Sequence, residues 1–224
     1  LRRLRVSSQI IYILDFRRGR VMRNMIEQQK AVAKSVLNKL QTLDLYVVLA
    51  GGACRDWWLD KEATDLDFYL YYNPKYPSSS LKDVLVRLFG DIDVTEVERK
   101  PNDLYDNLEE DDRKRFDKEV LSKHGFRYTS DMSISNVFEF TIDDVKCQVI
   151  FKNDLVYAEN LISGFCFDIC QAYSLNIDEI KTTPKFDKAV KHKAIQITGE
   201  FYSQKDAYIK KIKSKFPDYL HIGF

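Results

Sequence analysis

The apolar run Leu45-Tyr46-Val47-Val48-Leu49-Ala50 stops at two adjacent glycines, Gly51 and Gly52, and this stop constrains the fold more than any other feature of the chain. A short run of aliphatic and β-branched residues predicts a buried strand over 45–50. The glycines predict a tight turn at its end, with a short helix over Ala53 to Asp60 following the turn. Leu66 to Tyr72, rich in aromatic residues, predicts a second strand.

Around this nucleus the periodicity changes. Val21, Met25, Val32, Val36, Leu40 and Leu43 recur near helical spacing with no Gly or Pro between them, which predicts an amphipathic helix over 21–43. Asn73 to Ser80 is turn chemistry with two prolines, and Ser80 followed by Asp83 resembles a capping box opening a helix over Leu81 to Phe89. Ile92 to Val97 alternates as a third strand. Lys100 to His124 is highly charged with weak periodicity, an exposed helix or an insertion. Val137–Ile142 and Val145–Phe151 flank Asp143-Asp144 and predict a hairpin, although its turn lacks the usual glycine. A helix over 154–163, a buried segment over Phe165 to Leu175 and a helical tail over 203–215 complete the pattern. The expected class is α/β (α+β): a small mixed sheet packed on helices, followed by a short helical C-terminal region. The boundaries implied are a helical segment over 1–44, a core over 45–153 and the C-terminal region over 154–224.

Composition narrows the function. With 45% hydrophobic and 31% charged residues and no apolar run near 18 residues, the chain reads as globular, without a membrane span. The N-terminus is basic but has no signal-peptide cleavage pattern, so the expected location is cytoplasmic. A net charge of +1 excludes a globally basic nucleic-acid binder and leaves two local patches. One holds Arg2, Arg3, Arg5, Arg17, Arg18, Arg20 and Arg23; the other holds Lys205, Lys210, Lys211, Lys213 and Lys215. Cys54, Cys147, Cys166 and Cys170 have no zinc-site spacing and read as thiols in a reducing compartment. His124, His192 and His221 are dispersed, and serine-nucleophile and P-loop signatures are absent.

The chemistry-bearing stretch runs from Ala50 to Leu70. Gly51 and Gly52 let a backbone approach a ligand closely, and the helix start after them supplies N–H groups suited to phosphate oxygens. On a strand, positions i and i+2 share a face, so Asp65 and Asp67 would present two carboxylates together. Such a pair suits Mg2+ or Mn2+, which can bridge phosphate oxygens and an attacking hydroxyl. Arg55 and Asp56 lie between the two elements, as ligand contacts or as a local ion pair.

Gly51, Gly52, Arg55, Asp56, Leu59, Asp65 and Asp67 together resemble the signature of the DNA polymerase β-like nucleotidyltransferase superfamily, in particular the head domain of CCA-adding tRNA nucleotidyltransferases, a pattern of the form GGxVRDxLLG followed by DxD. Phe165 to Tyr173 is similar to the DFTINALAY stretch that closes that head domain. The resemblance covers about residues 45 to 175. It implies that Gly51 and Gly52 hold a triphosphate, that Asp65 and Asp67 are catalytic and hold the metal, and that Arg55 and Asp56 brace the loop. It also implies a third carboxylate on the hairpin, where this chain has Gln148, an amide that is neither a base nor a strong metal ligand. Glu139 and Asp168 are the substitutes, and Asp168 doubles as a helix cap or nucleotide contact. Of Trp57 and Trp58, one is expected in the core and the other free to stack on a base.

The function expected is metal-dependent transfer of a nucleoside monophosphate from an NTP to a hydroxyl acceptor, RNA or tRNA, protein or small molecule, with pyrophosphate release. The alternative is a non-catalytic nucleotide-binding module of the same fold. The sequence leaves the oligomeric state open.

Overall fold

A computed structural model describes residues 23–71, 78–90, 92–97, 134–154, 157–199 and 205–224. Lys100 to His124 and the arginines before Arg23 lie outside the described residues. The first helix, α1, spans residues 23–40. Its buried stripe is Ile26, Val32, Ala33, Val36, Leu37 and Leu40. Met25, expected on that stripe, is exposed; the apolar face is centred one residue later, on Ile26. Gln29 is also buried there, and it holds the helix in place. Its amide accepts from Trp57 Nε1 at 3.1 Å and from Ala63 N at 3.0 Å, and donates to the Ala63 carbonyl at 2.8 Å.

Strand β1 (Val48–Ala50) is shorter than the apolar run predicts, because Leu45 is 81% exposed and Tyr46 is exposed beside it. Helix α2 (Gly52–Trp58) follows, then β2 (Leu66–Tyr71) and α3 (Ser78–Phe89). Ser80 therefore lies inside the first turn of α3 and is not its cap: the three consecutive serines enter the helix together. Of the third strand only β3 (Thr95–Glu96) pairs, with Val97 adding an N–H bond to the Val137 carbonyl at 2.9 Å.

The hairpin forms as expected from β4 (Ile134–Ile142) and β5 (Val145–Lys152). Asp143 and Asp144 both take positive φ, 48° and 63°, the pattern of a two-residue hairpin turn made without glycine. The C-terminal region gives helix α4 (Ala158–Ser163), a 3-10 turn (Asp168–Cys170), β6 (Ala172–Ser174), β7 (Lys181–Thr182), α5 (Pro184–His192), β8 (Ala194–Gln196), α6 (Lys205–Lys215) and β9 (Leu220–Ile222). It is thus helical with strands interleaved, and β6 and β7 enter the main sheet. Helix α5 starts on a Thr183 cap whose hydroxyl accepts from Phe186 N at 3.2 Å, with Pro184 in the first turn.

The main sheet has the order β3-β4-β5-β2-β1-β6-β7; β2 and β5 run parallel and the other neighbours antiparallel. Alternation sorts its side chains. Leu49, Leu66, Phe68, Leu70, Phe138, Phe140, Cys147, Val149 and Phe151 join the larger core with α1 and α3. Val48, Ala50, Tyr69, Val137, Ile150 and Tyr173 face the other way, onto Ala158 and Ile162 of α4. Each large side chain buried this way contributes roughly 1.5–3 kcal/mol. Strands β8 and β9 form a separate parallel pair.

Candidate functional site

Gly51 has φ +85°, and a Cβ there would meet the Phe165 ring at 3.3 Å, so both backbone and space call for glycine. Its N–H donates to the Ala172 carbonyl at 2.8 Å. That bond is spent inside the fold, so Gly51 shapes the turn while its N–H is committed elsewhere than to a phosphate. The first helical bond of α2 runs from Arg55 N–H to the Gly51 carbonyl at 3.0 Å, leaving the amides of Gly52, Ala53 and Cys54 ahead of it. Gly52 differs from Gly51. A Cβ there would meet only Arg55 Nη2, at an ordinary 3.7 Å.

Arg55 and Asp56 are both buried, Arg55 to 4% exposure, and form the ion pair that is one of the two roles expected of them. Arg55 donates through Nε to Asp56 Oδ1 at 2.8 Å, through Nη2 to Asp56 Oδ2 at 3.1 Å and through Nη1 to Cys170 Sγ at 3.2 Å. Lys215 of α6 reaches the same carboxylate at 2.5 Å, and the Phe216 ring lies 5.4 Å under the guanidinium. Burial and then Arg55 hold the Lys215 ammonium's pKa below the usual lysine range, against the pull of Asp56.

Asp67, the second residue of β2, comes to the same end of the sheet as the glycine turn. The β1–β2 register sets Leu49 opposite Phe68, so Ala50, the last residue before the glycines, comes level with Asp67. Asp67 is paired with Gln148 on β5, and Gln148 with Glu139 on β4. Cross-strand partners share a face, so Asp67, Gln148 and Glu139 form one row across three strands. Gln148 donates through Nε2 to Glu139, which also pairs with Lys146 at 3.0 Å. The Cys147 thiol is pushed up to about 12 by burial and then by the Asp67 charge; Cys54 is pushed up by burial and then by Asp67 and Asp56. Among the described residues no group of three His, Cys, Asp or Glu converges as a metal site. Of the residues expected at the site, Asp67 and the Gln148 amide are cross-strand neighbours, and Asp65 lies two residues before Asp67. Mg2+ is commonly held by one or two carboxylates with substrate phosphates completing its shell, so Asp65 and Asp67 fit such an ion.

No protein-family model matches the chain, and no curated protein matches it. Solved structures do. A structure described as a tRNA-processing enzyme in an apo form superposes with TM-score 0.53 at 15% identity, over 88% of this chain and 44% of that one. The Thermotoga maritima CCA-adding enzyme complexed with tRNA superposes with TM-score 0.51 at 11% identity, over 88% and 42%. A CCA-adding enzyme in complex with ATP gives 0.50 at 12%, over 85% and 38%. The fold is that of the tRNA nucleotidyltransferases. The chain spans less than half the length of these structures.

Within this nucleotidyltransferase fold, Asp168 is engaged away from the row of Asp67. Its Oδ1 accepts from Ile169 N at 2.7 Å and from Gln196 N at 3.0 Å, stapling the 3-10 turn to β8. Burial raises its pKa despite those two bonds. Trp57 is core, as expected of one of the pair; Trp58 is 48% exposed and stands edge-on to Phe186. Helix α6 is the part of the site that sequence reasoning does not assign to it. In sequence its lysines form a separate patch, yet Lys215 closes on Asp56, and the Tyr208 phenol is pushed up by burial and then by the charges of Asp67, Cys166, Cys170 and Asp65. The Lys-Phe end of that helix, Lys215-Phe216, is the signal that sequence offers. Among the described residues no helix is long and apolar enough to cross a membrane.

Proposed function

We propose that this chain is a metal-dependent nucleotidyltransferase that moves a nucleoside monophosphate from an NTP to a hydroxyl acceptor and releases pyrophosphate. The observation that supports the proposal is the β1–β2 register, which brings Ala50, next to the Gly51-Gly52 turn, level with Asp67. Gly52 supplies open backbone for the phosphates, and the Arg55–Asp56 pair, held by Lys215, fixes the loop that presents it. Asp65 and Asp67 would hold Mg2+ or Mn2+, which neutralises charge on the phosphates and lowers the acceptor hydroxyl's pKa. The acceptor hydroxyl gives its proton to solvent and its oxygen attacks the α-phosphorus in line; a new O–P bond forms, and the bond from the α-phosphorus to the oxygen that bridges to the β-phosphate breaks, so that pyrophosphate leaves. Fold similarity to enzymes solved with tRNA and with ATP makes an RNA end and ATP the first acceptor and donor to try.

The non-catalytic alternative has one specific observation in its favour. The place of a third carboxylate is taken by Gln148, and the nearest acid in its row, Glu139, is held by Gln148 and Lys146. Such a module would bind nucleotide without releasing pyrophosphate.

The deciding experiment incubates the protein with each labelled NTP, Mg2+ or Mn2+ and bulk RNA. Transfer is expected in the wild type and lost by at least about a hundredfold in Asp65→Asn with Asp67→Asn, or on chelation of the metal. Nucleotide binding without pyrophosphate release would establish the module instead, and transfer unchanged in the double variant would refute both carboxylate roles.

A further inference from the structure

The face of the main sheet that carries Asp67 has an aromatic ring lying across it beside the glycine turn. Asp67 and Tyr69 are two apart on β2 and so share a face, the one that also carries Ala50 of β1. Phe165, in the turn after α4, packs onto that face and is only partly buried. Two contacts locate its ring. A Cβ on Gly51 would lie 3.3 Å from Phe165 Cε2, and the Tyr69 ring centre is 6.1 Å from that of Phe165 at an interplanar angle of 43°. Gly51 and Tyr69 bracket Ala50, whose methyl group leaves room above it, and Ala50 is level with Asp67 on a strand about 4.8 Å away. The ring therefore lies between the glycine turn and the strand that carries Asp67.

The backbone under the ring is held from both sides. Phe165 N–H donates to the Ile162 carbonyl at 3.2 Å, and the Phe165 carbonyl accepts from Thr198 Oγ1 at 3.1 Å. Gly199 packs against the same turn so closely that a Cβ there would stand 2.6 Å from the Gly164 carbonyl oxygen and 2.9 Å from that of Phe165. A ring fixed in this way loses little freedom on meeting a ligand. Trp58, the aromatic that the sequence offers to a base, is at the far end of α2, about 9 Å along the helix from Gly52, and stands edge-on to Phe186.

We propose that Phe165 is the platform on which the base of the nucleotide stacks, with the triphosphate at the glycine turn. The proposal rests on the nucleotidyltransferase reading and adds to it a residue outside the glycine and DxD motifs. Every base has a π-face, so such a platform grips purine and pyrimidine nucleotides alike, the larger purine more strongly. Inorganic tripolyphosphate offers the phosphates without a base. It separates a platform from a ring that only props Gly51: losing a prop weakens both ligands, whereas losing a platform weakens the nucleotide alone.

The test is equilibrium binding of ATP, CTP and inorganic tripolyphosphate to the full chain in Mg2+, measured by calorimetry. Phe165→Leu, which keeps an apolar side chain against Gly51, should weaken ATP by about tenfold or more and CTP by less, and leave tripolyphosphate within about twofold. Phe165→Tyr and Trp58→Leu should both bind ATP as the wild type does. An independent readout is Phe165→Trp, whose added indole fluorescence should be quenched by ATP and unmoved by tripolyphosphate, whether or not Phe165→Leu folds. Unchanged ATP binding in Phe165→Leu, or an equal loss for tripolyphosphate, overturns the proposal. So does an added indole that ignores ATP, or a loss in Trp58→Leu with Phe165→Leu normal, which would give the base to Trp58. Any of these in a chain whose wild type binds ATP sinks this inference alone. A wild type that binds no nucleotide sinks the parent reading with it.

Discussion

Gly51 and Gly52 are adjacent and identical in sequence, yet the structure gives them opposite physical reasons to be glycine. At Gly51 the left-handed φ and the Phe165 ring forbid a side chain, so Gly51→Ala should destabilise the fold by about 1–3 kcal/mol. At Gly52 nothing in the fold objects to a methyl group, so Gly52→Ala should be neutral or stabilise by about 0.5–1 kcal/mol while weakening nucleotide binding. Urea unfolding alongside a binding titration separates the two effects; a Gly52→Ala protein that binds nucleotide normally would remove Gly52 from the site. Asp168 gives a second residue-level prediction. Its folded pKa is raised, so its contribution to stability is fully present below the unfolded carboxylate pKa and is lost as pH rises through the folded one. Asn keeps an oxygen acceptor for Ile169 and Gln196 and has no charge to bury. Asp168→Asn should therefore gain stability relative to wild type as pH rises from the acid range toward neutrality, with the gap closing in acid, as thermal melts at several pH values would record. The motif residues are legible in sequence because each type is dictated by one local need. Glu139 in the row of Asp67 is nameable there only as an alternative, since strand register across β5 is not written in either strand alone.

Among the elements, those with an uninterrupted period are readable: α1, α6 and the β4–β5 hairpin all lie where periodicity sets them. Those decided by tertiary partners are not. Strand β1 loses Leu45 and Tyr46 because β2 and β6 pair only with its last residues. Strand β6 lies in the segment Phe165 to Leu175, legible as buried but too short and mixed to declare itself sheet, and β7 falls where the sequence predicts no element. The hairpin turn forms in spite of its missing glycine, and that absence carries a cost. Asp143 and Asp144 hold positive φ that glycine or asparagine takes more easily. Asp144→Gly should stabilise the protein by about 1 kcal/mol, with Asp143→Asn adding less, and denaturant midpoints of the two variants would show it. A loss of stability in Asp144→Gly would mean that the Asp144 side chain holds the turn.

At the scale of the whole molecule, the four thiols report on different depths of the fold. Cys54 and Cys147 are fully buried with their pKa values pushed up; Cys166 and Cys170 are half-buried, Cys166 also raised by burial and Cys170 accepting from Arg55. A thiol reagent near neutral pH should label Cys166 and Cys170 first, and Cys54 and Cys147 only at the rate of global unfolding, followed site by site by mass spectrometry. Faster labelling of Cys147 would mean that β5 opens on its own. The parallel contact between β2 and β5 has a further consequence, for the order in which the chain assembles. The strand carrying Asp67 can find β1 through a short connection, but it meets Gln148 only after the intervening chain up to β5 has been made, and the Gly51 amide meets Ala172 later still. Contacts of such long sequence separation form late and slowly. On a growing polypeptide, then, the two motifs that announce the site are complete well before the site exists, and α6, whose Lys215 meets Asp56, arrives later than either of them.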